Sequence, residues 1–320
     1  MFDLDTFLTT LCVMADDFCR EHLQQEPVLP GPYPALCRSE VLTLALFGQF
    51  ARFQSERDFW RFAKQHLAPL FPTLPDRAQF NRFRRACASL RQRRHGRALV
   101  AFDLHLAQQM NVAHSPYEVL DRCGVATRWC GRRGAGWLPK CTDKGVCSRL
   151  GWFHGVHLLS AVSAEGVITG LGVGPASAKD QPIAEALFLA RHTGDPRLCS
   201  AGVPAGGGFY VLDKGFSGTV LHQAWRARYG AQVVCAPQRD CRGRPPWPKA
   251  WRKWLASRRQ IVESVHDKLV NTFRLGWERP HELDGLFTRL SAKVALHNFC
   301  VWLNKHHGRP PLAFADLLGW

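Results

Sequence analysis

The run Ala98-Leu99-Val100-Ala101-Phe102-Asp103-Leu104-His105-Leu106 (ALVAFDLHL) carries one carboxylate in an otherwise apolar stretch. Read with a period of two, Val100, Phe102 and Leu104 face one way and Leu99, Ala101 and Asp103 the other, the alternation of a strand. Burying an unpaired carboxylate is costly, so Asp103 there requires a cation, a hydrogen-bond partner or a place at a cleft. This reading splits the chain. Before it the pattern is helical, and after it strands and helices interleave.

Upstream, residues 1–97 read as several short helices. Asp3 and Thr6 cap the first, with Phe7, Leu8, Leu11, Met14 and Phe18 as its apolar stripe. The stretch 26–34 (EPVLPGPYP) holds four prolines and a glycine and is a loop. Ser39 opens a second helix and Ser55 a third, anchored by Phe59 and Phe62; a basic helix follows from about Arg77 to Arg94. Downstream, 115–150 is rich in Gly, Arg and Cys and reads as an irregular basic insertion. Residues 152–163 and 166–174 form a hairpin about the turn Ala164-Glu165-Gly166. Asp180 starts a helix, FYVLD (209–213) is a short buried strand, and a helix (219–229) and a strand (231–237) follow. A proline-broken, tryptophan-rich basic insertion occupies about 238–257, and the remainder is helical. The order strand, hairpin, helix, strand, helix, strand, helix gives an α/β fold with a sheet of mixed direction.

Two further carboxylates stand out. Asp213 ends the strand FYVL and precedes Lys214-Gly215, and strand ends in α/β sheets are where ligands gather. Glu263 lies on a helix whose core stripe is Val262, Val265, Leu269 and Phe273, and Arg259 shares its face one turn earlier. Taken singly, Asp213 also suits a turn and Arg259–Glu263 a surface ion pair. Two strand-borne aspartates and a helix-borne glutamate together can hold a pair of divalent ions for in-line displacement at phosphorus.

Charge names the phosphodiester. The chain carries a formal net charge of +16, which favours nucleic acid as partner. Eight arginines and no acid fall between Arg77 and Arg97, seven basic residues and one acid between Arg122 and Arg149, and eight and one between Arg239 and Arg259. Arg82, Arg84, Arg85, Lys214, Arg252, Lys253 and Arg259 are therefore candidate phosphate contacts. In WPKAWRKWLASRR (247–259), Trp247, Trp251 and Trp254 either stack on an unpaired base or form the buried face of an amphipathic helix. His266 is either a further site residue or an ordinary helix histidine. No run of about 20 apolar residues suits a membrane span, and the acidic start MFDLDTF lacks the basic opening of a signal peptide. A cytoplasmic protein with reduced thiols follows, associated with the nucleoid when on DNA. Cys123, Cys130, Cys141 and Cys147 are separated by 6, 10 and 5 residues, a spacing unlike compact zinc pairs. Gly-x-Gly-x-x-Gly, phosphate-loop and nucleophile-elbow motifs are missing, which disfavours a small-molecule enzyme.

FDLHL, the hairpin GWFHGVHLLSAVSAEGVITGLGVGPASAKDQP, VLDKGFSG, RRQIVESVHDKL and GLFTRLSAKVALHNFCVWLNK occur in the order seen in transposases of bacterial insertion sequences. The N-terminal segments SEVLTLALFGQFARFQSERDFWRF and LFPTLPDRAQFNRFRR extend the likeness across most of the chain. The sequence thus resembles a DDE transposase of the ribonuclease-H-like superfamily. Leu104 departs from the small polar residue common after the first Asp, and Ala256 and Val270 from the Tyr and Lys often flanking the Glu. The resemblance implies a ribonuclease-H-like mixed sheet flanked by helices, with a helical N-terminal region that binds DNA ends (1–97), a catalytic domain (98–320) and a helical tail. It implies Asp103, Asp213 and Glu263 as catalytic metal ligands for two Mg²⁺ or Mn²⁺ ions. Cleavage of double-stranded DNA at element ends and strand transfer into target DNA, by a homodimer on DNA, are the activity it implies. A metal-dependent nuclease without strand transfer, or a decayed copy that only binds DNA, uses the same residues.

Overall fold

The computed structural model describes residues 1–23, 35–88 (84–88 as backbone only), 98–128, 138, 141–193, 208–237, 247–279 and 281–319. In chain order the regular elements are α1 (Leu4–His22), α2 (Arg38–Phe47), α3 (Glu56–His66), α4 (Arg77–Ala88), α5 (Ala98–Gln109), β1 (Glu118–Arg128), β2 (Asp143–Cys147), β3 (Gly151–Ser163), β4 (Ile168–Pro175), α6 (Asp180–Thr193), β5 (Phe209–Leu212), α7 (Thr219–Tyr229), β6 (Gln232–Cys235), α8 (Lys249–Asp267) and α9 (Leu283–His306). The chain divides into two compact units. One comprises Met1–Leu106, Leu269–Leu275 and Glu282–Trp320, the other Ala107–Lys268 and Gly276–His281.

The first unit is helical. Asp3 caps α1 as its sequence suggests, its carboxylate accepting from the Thr6 amide at 2.7 Å, and Ser55 caps α3 through the Asp58 amide at 3.1 Å. Phe7, Phe47, Phe50, Phe53 and Phe59 form a connected aromatic core with centroid separations of 5.1–6.2 Å. The proline-rich stretch 26–34 lies outside the described residues.

The strand expected at 98–106 is a helix. Leu99, Phe102 and Leu106 are each at most 1% exposed, and their spacing of three and four residues is that of a helix stripe. An almost wholly apolar run satisfies either period, and here packing of Phe102 on Phe18 (centroids 5.4 Å apart) goes with the helix. Asp103 therefore sits on α5, where Asn298 Nδ2 of α9 donates to its Oδ1 at 2.6 Å. Burial pushes its carboxyl up to about 8, the Asn298 hydrogen bond opposing the shift. The unfolded chain ionises Asp103 near its ordinary value of 3.8 while the folded chain keeps it protonated to about 8. Between those values the folded state holds the extra proton, so this group's contribution to stability is complete below 3.8 and is lost as pH rises through about 8. Asp103→Asn, a neutral near-isostere, is expected to flatten that slope in urea unfolding measured across the same window.

The second unit carries one sheet in the order β2-β3-β1-β5-β6, with β4 also paired to β3. β1 runs antiparallel to β3 and parallel to β5, and β5 parallel to β6. The β3–β4 hairpin matches its sequence reading; Gly166 takes φ 89° at the turn, and Ser163 Oγ accepts from the Val167 amide at 3.1 Å. Helices α6 and α7 bury Phe188 and Trp225 against Leu120, Tyr210 and Leu212 of the sheet.

The supposed irregular insertion at 115–150 holds β1, the sheet's central strand, and β2. The second half of the supposed insertion at 238–257 is the start of α8, and 238–246 lie outside the described residues. Between β1 and β2 the backbones crowd β3: a Cβ at Gly155 would lie 2.0 Å from the Val125 carbonyl oxygen. Since that neighbour is backbone of the central strand, Gly155→Ala is expected to cost about 3 kcal/mol, read as a lowered urea midpoint.

Candidate active site

The β1–β5 ladder pairs Glu118 with Tyr210, Val119 with Val211 and Leu120 with Leu212. One residue further along both strands stand Asp121 and Asp213. Apolar Val119, Leu120, Val211 and Leu212 are at most 2% exposed, so each carboxylate emerges where its strand leaves the core. Side-chain exposure is 20% at Asp121 and 42% at Asp213. Asp213 is further fixed by its own turn, its Oδ1 accepting from the Lys214 amide at 2.7 Å.

Helix α8 lies across this end of the sheet, packed against β1, β3 and β5 through its buried Val262 and Val265. Its Arg259 reaches both aspartates. Nη2 donates to Asp121 Oδ2 at 3.0 Å, and Nη1 lies 3.5 Å from Asp213 Oδ1. Burial raises the Asp121 carboxyl, and the Arg259 charge pulls it back. Glu263 follows one turn later on the same helix, exposed. His266 Nε2 lies 3.3 Å from the hydroxyl of Ser160, the residue opposite Asp121 in the β1–β3 register. It links α8 to the sheet at the rung of Asp121.

A second ion pair borders the first. Arg122 Nη1 lies 2.7 Å from Asp180 Oδ1 at the start of α6, and 3.4 Å from His157 Nδ1. Burial and then Arg122 push the His157 imidazole down to about 4, which leaves it neutral at ordinary pH. Burial raises Asp180, and Arg122 opposes it. Arg122 is thereby turned toward α6, and Asp121 faces Arg259.

The structure places Arg259 of α8 within 3.5 Å of Asp213, with Asp121 on the adjoining strand and Asp103 on a helix. The carboxylate on the strand beside Asp213 is Asp121; Asp103 is held on α5 by Asn298. The missed signal was plain: Val119-Leu120-Asp121 repeats Val211-Leu212-Asp213. Asp121 went unread because the Gly, Arg and Cys that follow it suggested irregular chain.

Asp121, Asp213 and Glu263 offer oxygen, the donor of choice for Mg²⁺ or Mn²⁺ rather than zinc. The aspartate pair fits such an ion, since it already draws a cationic group between its two members. Among the described residues, the grouping of His, Cys, Asp or Glu whose ligand atoms all lie within 4.8 Å of one another is Glu21, His22 and His105 in the helical unit; Asp121, Asp213 and Glu263 are not all within that distance. Cys123 is buried and accepts from Arg149 at 3.9 Å, Cys141 and Cys147 are half-buried, and Cys130 lies outside the described residues.

Lys214, Arg82, Arg252, Lys253 and Trp254 are exposed, while the side chains of Arg84 and Arg85 lie outside the described residues. Trp251 and Trp254 are 61% and 41% exposed. In these first turns of α8 the buried face is Leu255 alone, so Trp251 and Trp254 do not face the core, while Trp247, just before the helix, is half-buried.

No helix among the described residues is long and apolar enough to cross a membrane. No curated protein and no solved structure matches the chain. The family model of the transposase DDE domain matches residues 124–299, more than half of the 320 residues and most of the sheet, α8 and α9. With its ribonuclease-H-like mixed sheet and a carboxylate pair at the end of the central strands, the chain belongs to the transposase DDE-domain family, enzymes of DNA transposition that act on DNA with divalent metal ions.

Proposed function

We propose that the protein cleaves DNA at the ends of an insertion sequence and joins the freed 3′ ends to target DNA, with Asp121, Asp213 and Glu263 as the catalytic carboxylates. The observation that carries this is the rung at which β1 and β5 present Asp121 and Asp213 side by side, bridged by a cationic side chain of α8. Two Mg²⁺ or Mn²⁺ ions, when bound, would activate the attacking water or 3′ hydroxyl and stabilise the leaving oxygen.

The chain's own part is placement. Asp121 and Asp213 sit on a sheet that fixes their spacing, and Glu263 on a helix packed across the same strands. Lys214, next to Asp213, and Arg259 offer charge to the phosphates of the scissile strand. Arg252, Lys253 and Trp254 form an exposed basic and aromatic face on α8 that suits a separated strand, with the indole stacking on a base. The N-terminal region, with Arg82 on α4 and the arginines that follow, is assigned to the duplex at the element end, where such contacts set register rather than read bases. Joining two ends calls for two active sites, hence a dimer on DNA.

The test is labelled DNA carrying the element's own ends, incubated with Mg²⁺ or with EDTA, with wild type and Asp213→Ala. Cutting at the end that needs Mg²⁺ and is lost in the variant is expected, together with joined products. Cutting without joining would make the protein a nuclease. Binding without cutting under any metal would mark a decayed site and overturn the proposal.

A further inference from the structure

The guanidinium of Arg259 touches the same oxygens that a metal would need. Its contacts are Asp121 Oδ2 at 3.0 Å and Asp213 Oδ1 at 3.5 Å, with the side chain 19% exposed. Its Nε is buried and has no hydrogen-bond partner among the described residues. The group is therefore held by its tips, through the two carboxylates, and its third donor edge is unused. Glu263, one turn beyond, stays exposed and outside the pair.

We propose that Arg259 is the resident counter-cation of the metal-free site, displaced from the aspartate pair when a divalent ion binds and thereby delivered to a DNA phosphate. This rests on the reading of Asp121 and Asp213 as metal ligands. An ion held by both carboxylates competes with the guanidinium for Asp121 Oδ2 and Asp213 Oδ1, so binding of the ion weakens retention of the guanidinium. Once released, the planar fork stands on the helix face beside the site, where it matches a phosphate's two oxygens better than a lysine would. A phosphate that holds Arg259 away in turn leaves the carboxylates free. Metal and DNA then favour one another, and the coupling is the same from either side. The free protein keeps its two aspartates neutralised instead of open to stray ions, and the site assembles on DNA.

The experiment is Mn²⁺ binding to the full chain without DNA, by calorimetry, for wild type, Arg259→Gln, Arg258→Gln and Asp213→Asn. Arg258 is the exposed neighbour on the same helix and controls for loss of one positive charge. Arg259→Gln is expected to tighten Mn²⁺ about tenfold, Arg258→Gln by less than about twofold, and duplex DNA affinity to rise in Ca²⁺ over EDTA for wild type but not for Arg259→Gln. Equal effects of the two arginine variants, or weaker Mn²⁺ binding by Arg259→Gln, overturn the exchange. Full Mn²⁺ binding by Asp213→Asn overturns the ligand assignment itself. The wild-type chain gives a second reading that needs no variant to fold: Mg²⁺ should shift one arginine Nε–H resonance in ¹⁵N spectra, and a spectrum unchanged at saturating Mg²⁺ sinks the proposal.

Discussion

Asp121→Asn will lower metal-dependent cleavage of DNA ends by about a thousandfold or more, whereas Asp103→Asn will change it by less than about threefold. The two substitutions are chemically identical, so the contrast isolates position. At 121 the carboxylate lies on the central strand beside Asp213, on the rung where Arg259 supplies positive charge to both. Removing one negative oxygen there weakens the hold on any divalent ion and unbalances the pair around Arg259. At 103 the carboxyl is protonated up to about pH 8 and already answered by Asn298, so an amide replaces a group of nearly the same charge and shape. Single-turnover cleavage at fixed Mg²⁺ measures both. A loss at 103 as large as at 121 would restore the first expectation, in which ALVAFDLHL supplies the catalytic aspartate.

Glu118→Leu will destabilise the protein by about 3–5 kcal/mol, because it strands a buried guanidinium. Arg191 and Glu118 have side-chain exposures of 4% and 0%. Arg191 Nη2 donates to Glu118 Oε1 at 3.0 Å and to the Thr169 carbonyl at 3.2 Å, and Nη1 donates to Glu118 Oε2 and to the Tyr210 hydroxyl, the latter at 3.1 Å. Thr169 Oγ1 also donates to Glu118. One ionic knot thus ties β1, β4, β5 and α6 together, three residues upstream of both site aspartates. The double variant Glu118→Leu/Arg191→Met replaces both charges with apolar groups and should recover most of the loss, since a well-packed apolar pair often equals a buried ion pair. Urea titration followed by fluorescence measures the difference, and a single variant within about 1 kcal/mol of wild type would show that water reaches the pair.

Where local pattern and burial agree, the chain is legible from its sequence. FYVLD reads as a strand and forms one, and Val262, Val265, Leu269 and Phe273 read as a core stripe and are all 0% exposed. The cap of α1 and the β3–β4 turn were equally plain, because a side-chain oxygen or a glycine marks each. What failed was the period of an all-apolar run. In ALVAFDLHL both the strand face and the helix stripe are populated, and only tertiary partners such as Phe18 and Asn298 decide between them. Taking that run for the first strand left β1 inside a supposed insertion. The juxtaposition of Asp121 with Asp213 belongs to no local window, since it comes from pairing of strands about 90 residues apart.

Helix α9 bears on how the molecule is made. It contributes Leu290, Val294, Leu296 and Phe299 to the helical unit that begins at Met1, and the Phe2–Leu318 bridge joins the chain's two ends. Every residue of the sheet unit precedes Glu282. During synthesis, then, residues 1–106 emerge well before residues 282–320 that belong to the same unit, and their apolar side chains stay uncovered until those partners follow. A message broken before α9 would release a chain in which Phe7 lacks Phe299 and Asp103 lacks Asn298, a species that chaperones and proteases would meet first.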